Sequence, residues 1–306
     1  MDGVRNSASV NAVEWQTVAV AAGVYGGWLA IVLSHEAIPW PVGAALLLAV
    51  VIAWHGSLQH EVLHSHPFPK AWVNEVVGSI PISLRLPFRV YRRSHLSHHE
   101  CKNLTDPATD TESFFVTAAT WERLSAPGRW FLIAHHTLLG RMLLGPLIEN
   151  VSMVRRDVSS IRSGDRPLLR WWSVHLATAT LLFWLVVRVA GMPWWTYLLG
   201  VYLGNGLGLV RSYCEHQWAD GGATRSIVVR AGWFFRLLFL NNNLHHTHHA
   251  EAGVAWYRLP ELADRIGSDD LAAAGAGLYT GYGQIFRRYL VHPFDHPVDP
   301  GERRTA

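Results

Sequence analysis

Apolar residues in this chain come in long blocks separated by short polar ones, a pattern that predicts membrane helices rather than the mixed surface of a soluble domain. The run from about Glu14 to Ser34 is long enough to cross a bilayer, which takes roughly 20 residues. It is also long for the core of a signal peptide, and the polar stretch before it, residues 1–13, lacks a basic start. A turn over His35 to Pro41 leads into a second apolar run from about Val42 to Gly56, which then becomes polar without a Pro or Gly cluster. One long helix is predicted there, spanning over 42–58 and carrying His60 and His64 just outside the membrane. Residues 73–88 are too short and interrupted to span and predict an interfacial return. A second hairpin follows, with spans over 171–190 and 194–213 joined at Gly191-Met192-Pro193. Residues 128–153 mix apolar side chains with His135, His136 and Arg141 and predict an amphipathic interfacial helix, with a fifth span as the alternative; residues 155–170 are Arg-rich and hydrophilic. The expected architecture is therefore an all-α integral membrane domain over 1–306, with four transmembrane helices in two hairpins and a histidine-rich helical cap. Its C-terminal region, 214–306, lies outside the membrane.

Composition agrees. Half of the 306 residues are apolar, only 16% are charged against about a quarter in soluble domains, and there are 15 Trp. Tryptophans at 171, 172, 194 and 195 fit an interfacial aromatic belt. Gly200, Gly204, Gly206 and Gly208 allow a close helix approach. The two hairpin turns contain no Lys or Arg, whereas the basic clusters lie on the other side. By the positive-inside rule that side, with both termini, is cytoplasmic, in a cell (inner) membrane. The net charge of +3 and arginines set between apolar runs suit lipid headgroups, not nucleic acid. Cys101 and Cys214 are too few for a disulfide framework.

The chemistry lies in three histidine clusters. His95, His98 and His99 fall within one helical arc of ~100°, and the same spacing returns at His245, His248 and His249. His60 and His64 form a shorter i, i+4 pair. All three clusters fall on the predicted cytoplasmic side. Imidazole is the commonest side-chain metal ligand. Eight imidazoles exceed one tetrahedral site, so two metals with four or five nitrogens each fit better. If 245–249 is helical, His246 sits ~110° from the arc's centre and points away. His35, His55, His66, His135, His136, His175, His292 and His296 lack ligand spacing and are expected to be ordinary core or interfacial side chains.

His60-Glu61-Val62-Leu63-His64, His95-Leu96-Ser97-His98-His99 and His245-His246-Thr247-His248-His249 resemble, in order, spacing and placement after the hairpins, the three histidine boxes of the membrane fatty-acid-desaturase superfamily, over roughly residues 14–262. The resemblance implies a non-haem di-iron centre that uses O2 to oxidise unactivated C–H bonds of a lipid-like substrate. It also implies a ninth ligand, which His216 matches at the end of the fourth span. Asp106-Pro107 resembles the acidic turn that trails the second box. Asp106 is thus a candidate to hydrogen-bond a ligand ring, with a plain turn residue as the alternative. Asn241, four residues before His245, is a candidate to orient a ligand or hold a water, and equally a helix cap. Glu61 is a further such acid or a solvated helix residue. Trp256-Tyr257-Arg258-Leu259-Pro260 resembles a tail seen in carotenoid ketolases and some bacterial desaturases, with an interfacial aromatic anchor as the alternative.

The expected activity is introduction of a double bond into an aliphatic chain. A hydroxylase, a carotenoid ketolase, or a desaturase of a small amphiphilic metabolite is the alternative. The chain shows no four-cysteine iron–sulfur pattern and no dinucleotide fingerprint. Electrons are therefore expected from a separate ferredoxin or cytochrome with an NAD(P)H reductase. A metal transporter or sensor is a further alternative, but its ligands should lie near the midplane of the spans.

Overall fold

The computed structural model describes residues 12–220 and 225–305, so most of the polar start over 1–13 lies outside the described residues. In the first half, helices α1 (Trp15–Leu33), α2 (Pro41–Leu63), α3 (Ala71–Ser79) and α4 (Phe88–His99) follow one another, then α5 (Ala118–Arg123), α6 (Ala126–His135) and α7 (Leu138–Arg162). The second half holds α8 (Arg166–Trp184), α9 (Trp194–Ser212), β1 (Val228–Val229), α10 (Trp233–Leu238), α11 (His245–Ala250), α12 (Leu259–Ile266), α13 (Ser268–Ala274), β2 (Leu278–Tyr279), α14 (Tyr282–Tyr289) and α15 (Pro300–Thr305).

The chain is mostly helical, but not purely so: β1 and β2 pair in parallel, Val228 with Leu278 and Val229 with Tyr279. By length and composition, three helical stretches among the described residues can cross a membrane: α1, α2, and α8 with the π-helical turn that extends it to Val189. Their outward apolar side chains, such as Leu29, Leu46, Leu47, Val174 and Leu181, are exposed, as lipid-facing surface must be. The third stretch begins at Arg166 rather than at residue 171. Asp165 caps it by accepting the Leu168 N–H at 2.9 Å, and Pro167 occupies the first turn.

Helix α9 differs from the expected fourth span. It has 19 residues, but Tyr197, Tyr202, Asn205 and its glycines make it too polar to stand among those stretches. Tyr202 lies at the surface, whereas Tyr197 and Asn205 are turned inward and bonded. Tyr197 donates to the Ile82 carbonyl at 2.8 Å and accepts from Trp28 Nε1 at 3.2 Å, and Asn205 donates to the Val201 carbonyl at 2.9 Å. Helix α2 lies directly against it. A Cβ on Gly200 would sit 2.7 Å from Leu48 Cβ, and one on Gly204 2.5 Å from Ile52 Cβ, so the approach requires glycine.

The single interfacial helix expected over 128–153 is instead two helices, α6 and α7, bent by 112° at His136 and Thr137; taken together they qualify as a broken span. Thr137 turns the corner: its Oγ1 accepts the Gly140 N–H at 2.9 Å and donates to the Ala134 carbonyl at 2.8 Å. Beyond the spans, a second core of Tyr213, Phe239, Tyr279, Tyr282, Ile285, Tyr289 and Phe294 holds the cap together.

Candidate metal centre

Four segments bring their histidines to one place. Helix α2 runs past its apolar stretch, so His60 sits in its last turn and His64 at its C-cap. Pro87 precedes α4, whose one face supplies His95, His98 and, half-buried, His99. His216 lies four residues beyond α9 and is fixed by a bridge to Ser226. Helix α11 is short and is held at its start: Val229 N–H donates to the Asn243 carbonyl at 2.8 Å, and His246 N–H to the Ile227 carbonyl at 3.0 Å. The turn before it uses left-handed backbone at Leu240 and Asn241.

The nine imidazoles separate into two groups. His60, His64, His95 and His248 converge in one, and His98, His216, His245 and His249 in the other. His99 joins the first, with its Nε2 3.0 Å from His95 Nε2 and 3.0 Å from His248 Nε2. In the second, Nε2 atoms approach at 2.9 Å (His98–His216), 3.0 Å (His216–His245) and 3.1 Å (His245–His249). Adjacent residues thus serve opposite groups: His98 and His99 diverge, as do His248 and His249. His246 points elsewhere, its Nδ1 2.8 Å from Ser268 Oγ.

The second ring nitrogens explain the aim. His98 Nδ1 lies 2.7 Å from Asp110 Oδ1, and His95 Nδ1 3.1 Å from Glu112 Oε1. His245 Nδ1 lies 3.4 Å from Asn242 Oδ1 and 3.5 Å from Glu215 Oε1, and His216 Nδ1 3.3 Å from the Arg225 carbonyl. A ring that donates Nδ1–H to an oxygen presents Nε2 as a lone pair. Lone pairs brought to about 3 Å repel unless a cation lies among them. Neighbouring nitrogens of one ion at ~2.1 Å and right angles are separated by about 3.0 Å, which these edges match. His64 Nε2 is buried with no hydrogen-bond partner, as a ligand nitrogen would be. Nitrogen donors of this kind suit iron as well as zinc or copper.

Electrostatics push six of the rings towards the neutral form. Burial, then the neighbouring rings, lowers His99 to about 2, and burial with His98 lowers His216 to about 3. His64, His245, His248 and His249 are likewise pushed well below the ordinary imidazole range by burial first. His98 is the exception. Burial pulls it down, but its hydrogen bond to Asp110 and the nearby carboxylates outweigh burial and raise it. Burial pulls Asp110 towards the neutral form, yet the bond to His98 and the N–H groups of Glu112 and Thr105 hold it below the usual carboxylate range.

Asp106 takes the turn role that its Asp-Pro context offered, and neither it nor Asn241 bonds a ligand ring. Asp106 is a turn residue, accepting the Ala108 N–H at 2.9 Å and the Thr109 hydroxyl at 2.9 Å. Asn241 donates to the Trp256 carbonyl at 3.0 Å and accepts from Arg236 at 3.1 Å. The side chains that touch the rings are Asp110, Glu112, Glu215, Asn242 and Ser226, with the Arg225 carbonyl beside the last. Asp110 and Glu112 sit two residues apart just past the second box, and only the fold of the 100–113 loop returns them to it. Glu61 accepts the Trp256 N–H at 2.9 Å and lies with Glu14 and His66, whose Nδ1 is 2.9 Å from Glu14. Among the other scattered histidines, His135 and His136 pack beside α7, His175 stacks edge-on to Trp172, and none joins either group.

No curated protein matches the chain. The model of the fatty acid desaturase family does, over residues 37–282, a stretch that contains α2 through β2 and all nine of these histidines. The chain belongs to the fatty acid desaturase family.

Proposed function

We propose that this chain is an O2-dependent membrane di-iron desaturase that introduces a double bond into an aliphatic chain of a lipid-like substrate, with electrons from a separate ferredoxin or cytochrome and its NAD(P)H reductase. The observation that carries this reading is the sorting of nine buried or half-buried imidazoles into two groups with Nε2 atoms about 3 Å apart. His60, His64, His95, His99 and His248 would hold one iron, and His98, His216, His245 and His249 the other. When bound, the iron pair supplies the activation of O2 that abstraction of hydrogen from an unactivated carbon requires. The protein's part is to hold the ligand rings. Asp110, Glu112, Glu215 and Asn242 fix their tautomers, and the three carboxylates offset part of the charge that nine neutral ligands leave uncompensated.

The orientation belongs to the same proposal. Helix α9 is read as the fourth span of a single domain over 1–306, and the histidine groups and both termini face the cytoplasm. The arginine distribution and the placement of the groups beyond the ends of α2 and α9 support this. That placement also disfavours a transporter, whose ligands belong near the midplane. Mass spectrometry of lipids and metabolites from cells with and without the gene tests the activity. A product lighter by two hydrogens that requires O2 is expected. A product gaining one oxygen would replace desaturase with hydroxylase, and no O2-dependent product would remove the enzyme reading.

A further inference from the structure

Arg141, on α7 just past the bend, is 3% exposed, and among the described residues it has no ion pair. Its Nε donates one hydrogen bond, 3.4 Å long, to the His135 carbonyl at the end of α6. A guanidinium has five N–H groups, so the four on its Nη atoms have no protein acceptor among the described residues. Glu149, two turns along the same helix, is already bonded to Arg85 at 2.6 Å. The guanidinium lies 4.5 Å from the Phe114 ring centroid and 5.8 Å from that of Tyr213. Such stacking is worth less than the cost of burying an unpaired ion. A second orphan lies alongside: His135 is 4% exposed, and its Nε2 has no partner. The Arg141 stem and the His135 ring meet at Gly145, where a Cβ would stand 2.4 Å from Leu209 Cδ1, 3.2 Å from Arg141 Cδ and 3.7 Å from His135 Nε2. Buried cations are neutralised or paired, and among the described residues no anion pairs with this one.

We infer that Arg141 and His135 form a buried binding site for a carboxylate, with the planar anion taken by the Nη edge of the guanidinium and by His135 Nε2–H. A carboxylate matches that fork with two parallel hydrogen bonds. The stacked rings belong to the same two segments that supply the metal centre. Phe114 follows Glu112, which holds His95, by two residues, and Tyr213 precedes His216 by three. The anion is either a free small carboxylate or the acid end of an amphiphile. No histidine of the two metal groups takes part, so failure of this site leaves the di-iron reading intact.

The test uses the full, metal-loaded chain in nanodiscs, with thermal unfolding followed against acetate, decanoate and decanol. Wild type is expected to gain stability from carboxylates and not from decanol. Acetate and decanoate acting equally identify a small anion, and decanoate acting at tenfold lower concentration identifies an amphiphile's acid end. Arg141→Met should raise Tm in carboxylate-free buffer, since it removes an unpaired buried charge, and should abolish the carboxylate response. Where Arg141→Met does not insert, Arg141→Lys and His135→Ala serve, each expected to weaken the apparent carboxylate Kd at least tenfold. Equal responses to decanoate and decanol, a variant that keeps the wild-type carboxylate response, or an Arg141→Met that lowers Tm would each overturn the site.

Discussion

Asp110→Asn is the substitution whose consequence the geometry defines most closely. The Asp110 side chain is almost wholly buried and receives His98 Nδ1 at 2.7 Å, Thr105 N–H at 2.8 Å and Glu112 N–H at 2.9 Å. Asparagine keeps the shape but has a single acceptor oxygen. If that oxygen faces His98 and Glu112, its amide meets the Thr105 N–H; turned the other way, it meets the His98 and Glu112 donors. Either way at least one buried donor loses its acceptor, at about 1–3 kcal/mol. In the first orientation His98 keeps only a neutral acceptor in place of a carboxylate, and in the second its tautomer is no longer enforced; loss of such a partner lowers metal affinity by about 10–100-fold. The expected result is a folded, membrane-inserted protein that releases one iron, the one held through His98, at lower chelator concentration than wild type. Iron is counted after graded chelator treatment, with circular dichroism to confirm the fold. Asp106→Asn, in the turn beside it, should hold both irons as wild type does. If Asp110→Asn retains iron as firmly as wild type, Asp110 does not orient a ligand and the tautomer reasoning fails.

Among the clustered histidines, His248→Ala and His216→Ala should each lose iron and nearly all product, whereas His246→Ala, whose ring faces Ser268, should keep both; equal loss in all three would mean the ligand register is misplaced. Gly204→Val should destabilise the α2–α9 contact by about 1–3 kcal/mol, read as a lower Tm in detergent, because its Cβ would meet Ile52 Cβ at 2.5 Å and the Ala49 carbonyl at 2.8 Å. An unchanged Tm would show that these helices are free to separate. A reporter fused at the C-terminus should be active only when folded in the cytoplasm; activity on the opposite side alone would reverse the proposed orientation.

The histidine spacing was legible because ligand geometry on a helix is local: i, i+3 and i+4 suffice to bring His95, His98 and His99 to one face. The division of neighbours such as His98 and His99 between two groups was not, because it depends on how α2, α4, α11 and the end of α9 meet. Asp110 and Glu112 were missed for the same reason. Nothing in the spacing of an irregular loop says which acid it folds back, and the turn chemistry of Asp106-Pro107 drew attention to the wrong carboxylate. Apolar run length located α1 and α2 well. It did not find the bend within 128–153, where Thr137 divides the expected single helix into two. It does not by itself establish α9, whose mean hydropathy is lowered by Tyr197, Asn205, Gly200, Gly204 and Gly206, which are packed or bonded against protein.

Metal stoichiometry tests the central claim most directly. Protein purified from membranes grown with iron, and counted against its own concentration by elemental analysis, should hold two irons per chain. The double variant His98→Ala/His216→Ala, stripped of half of one group, should hold one. Two irons in wild type, together with O2 consumption when a reductant is supplied, are what the nine-imidazole arrangement predicts. Stoichiometric zinc in place of iron, with no O2 consumed, would contradict it.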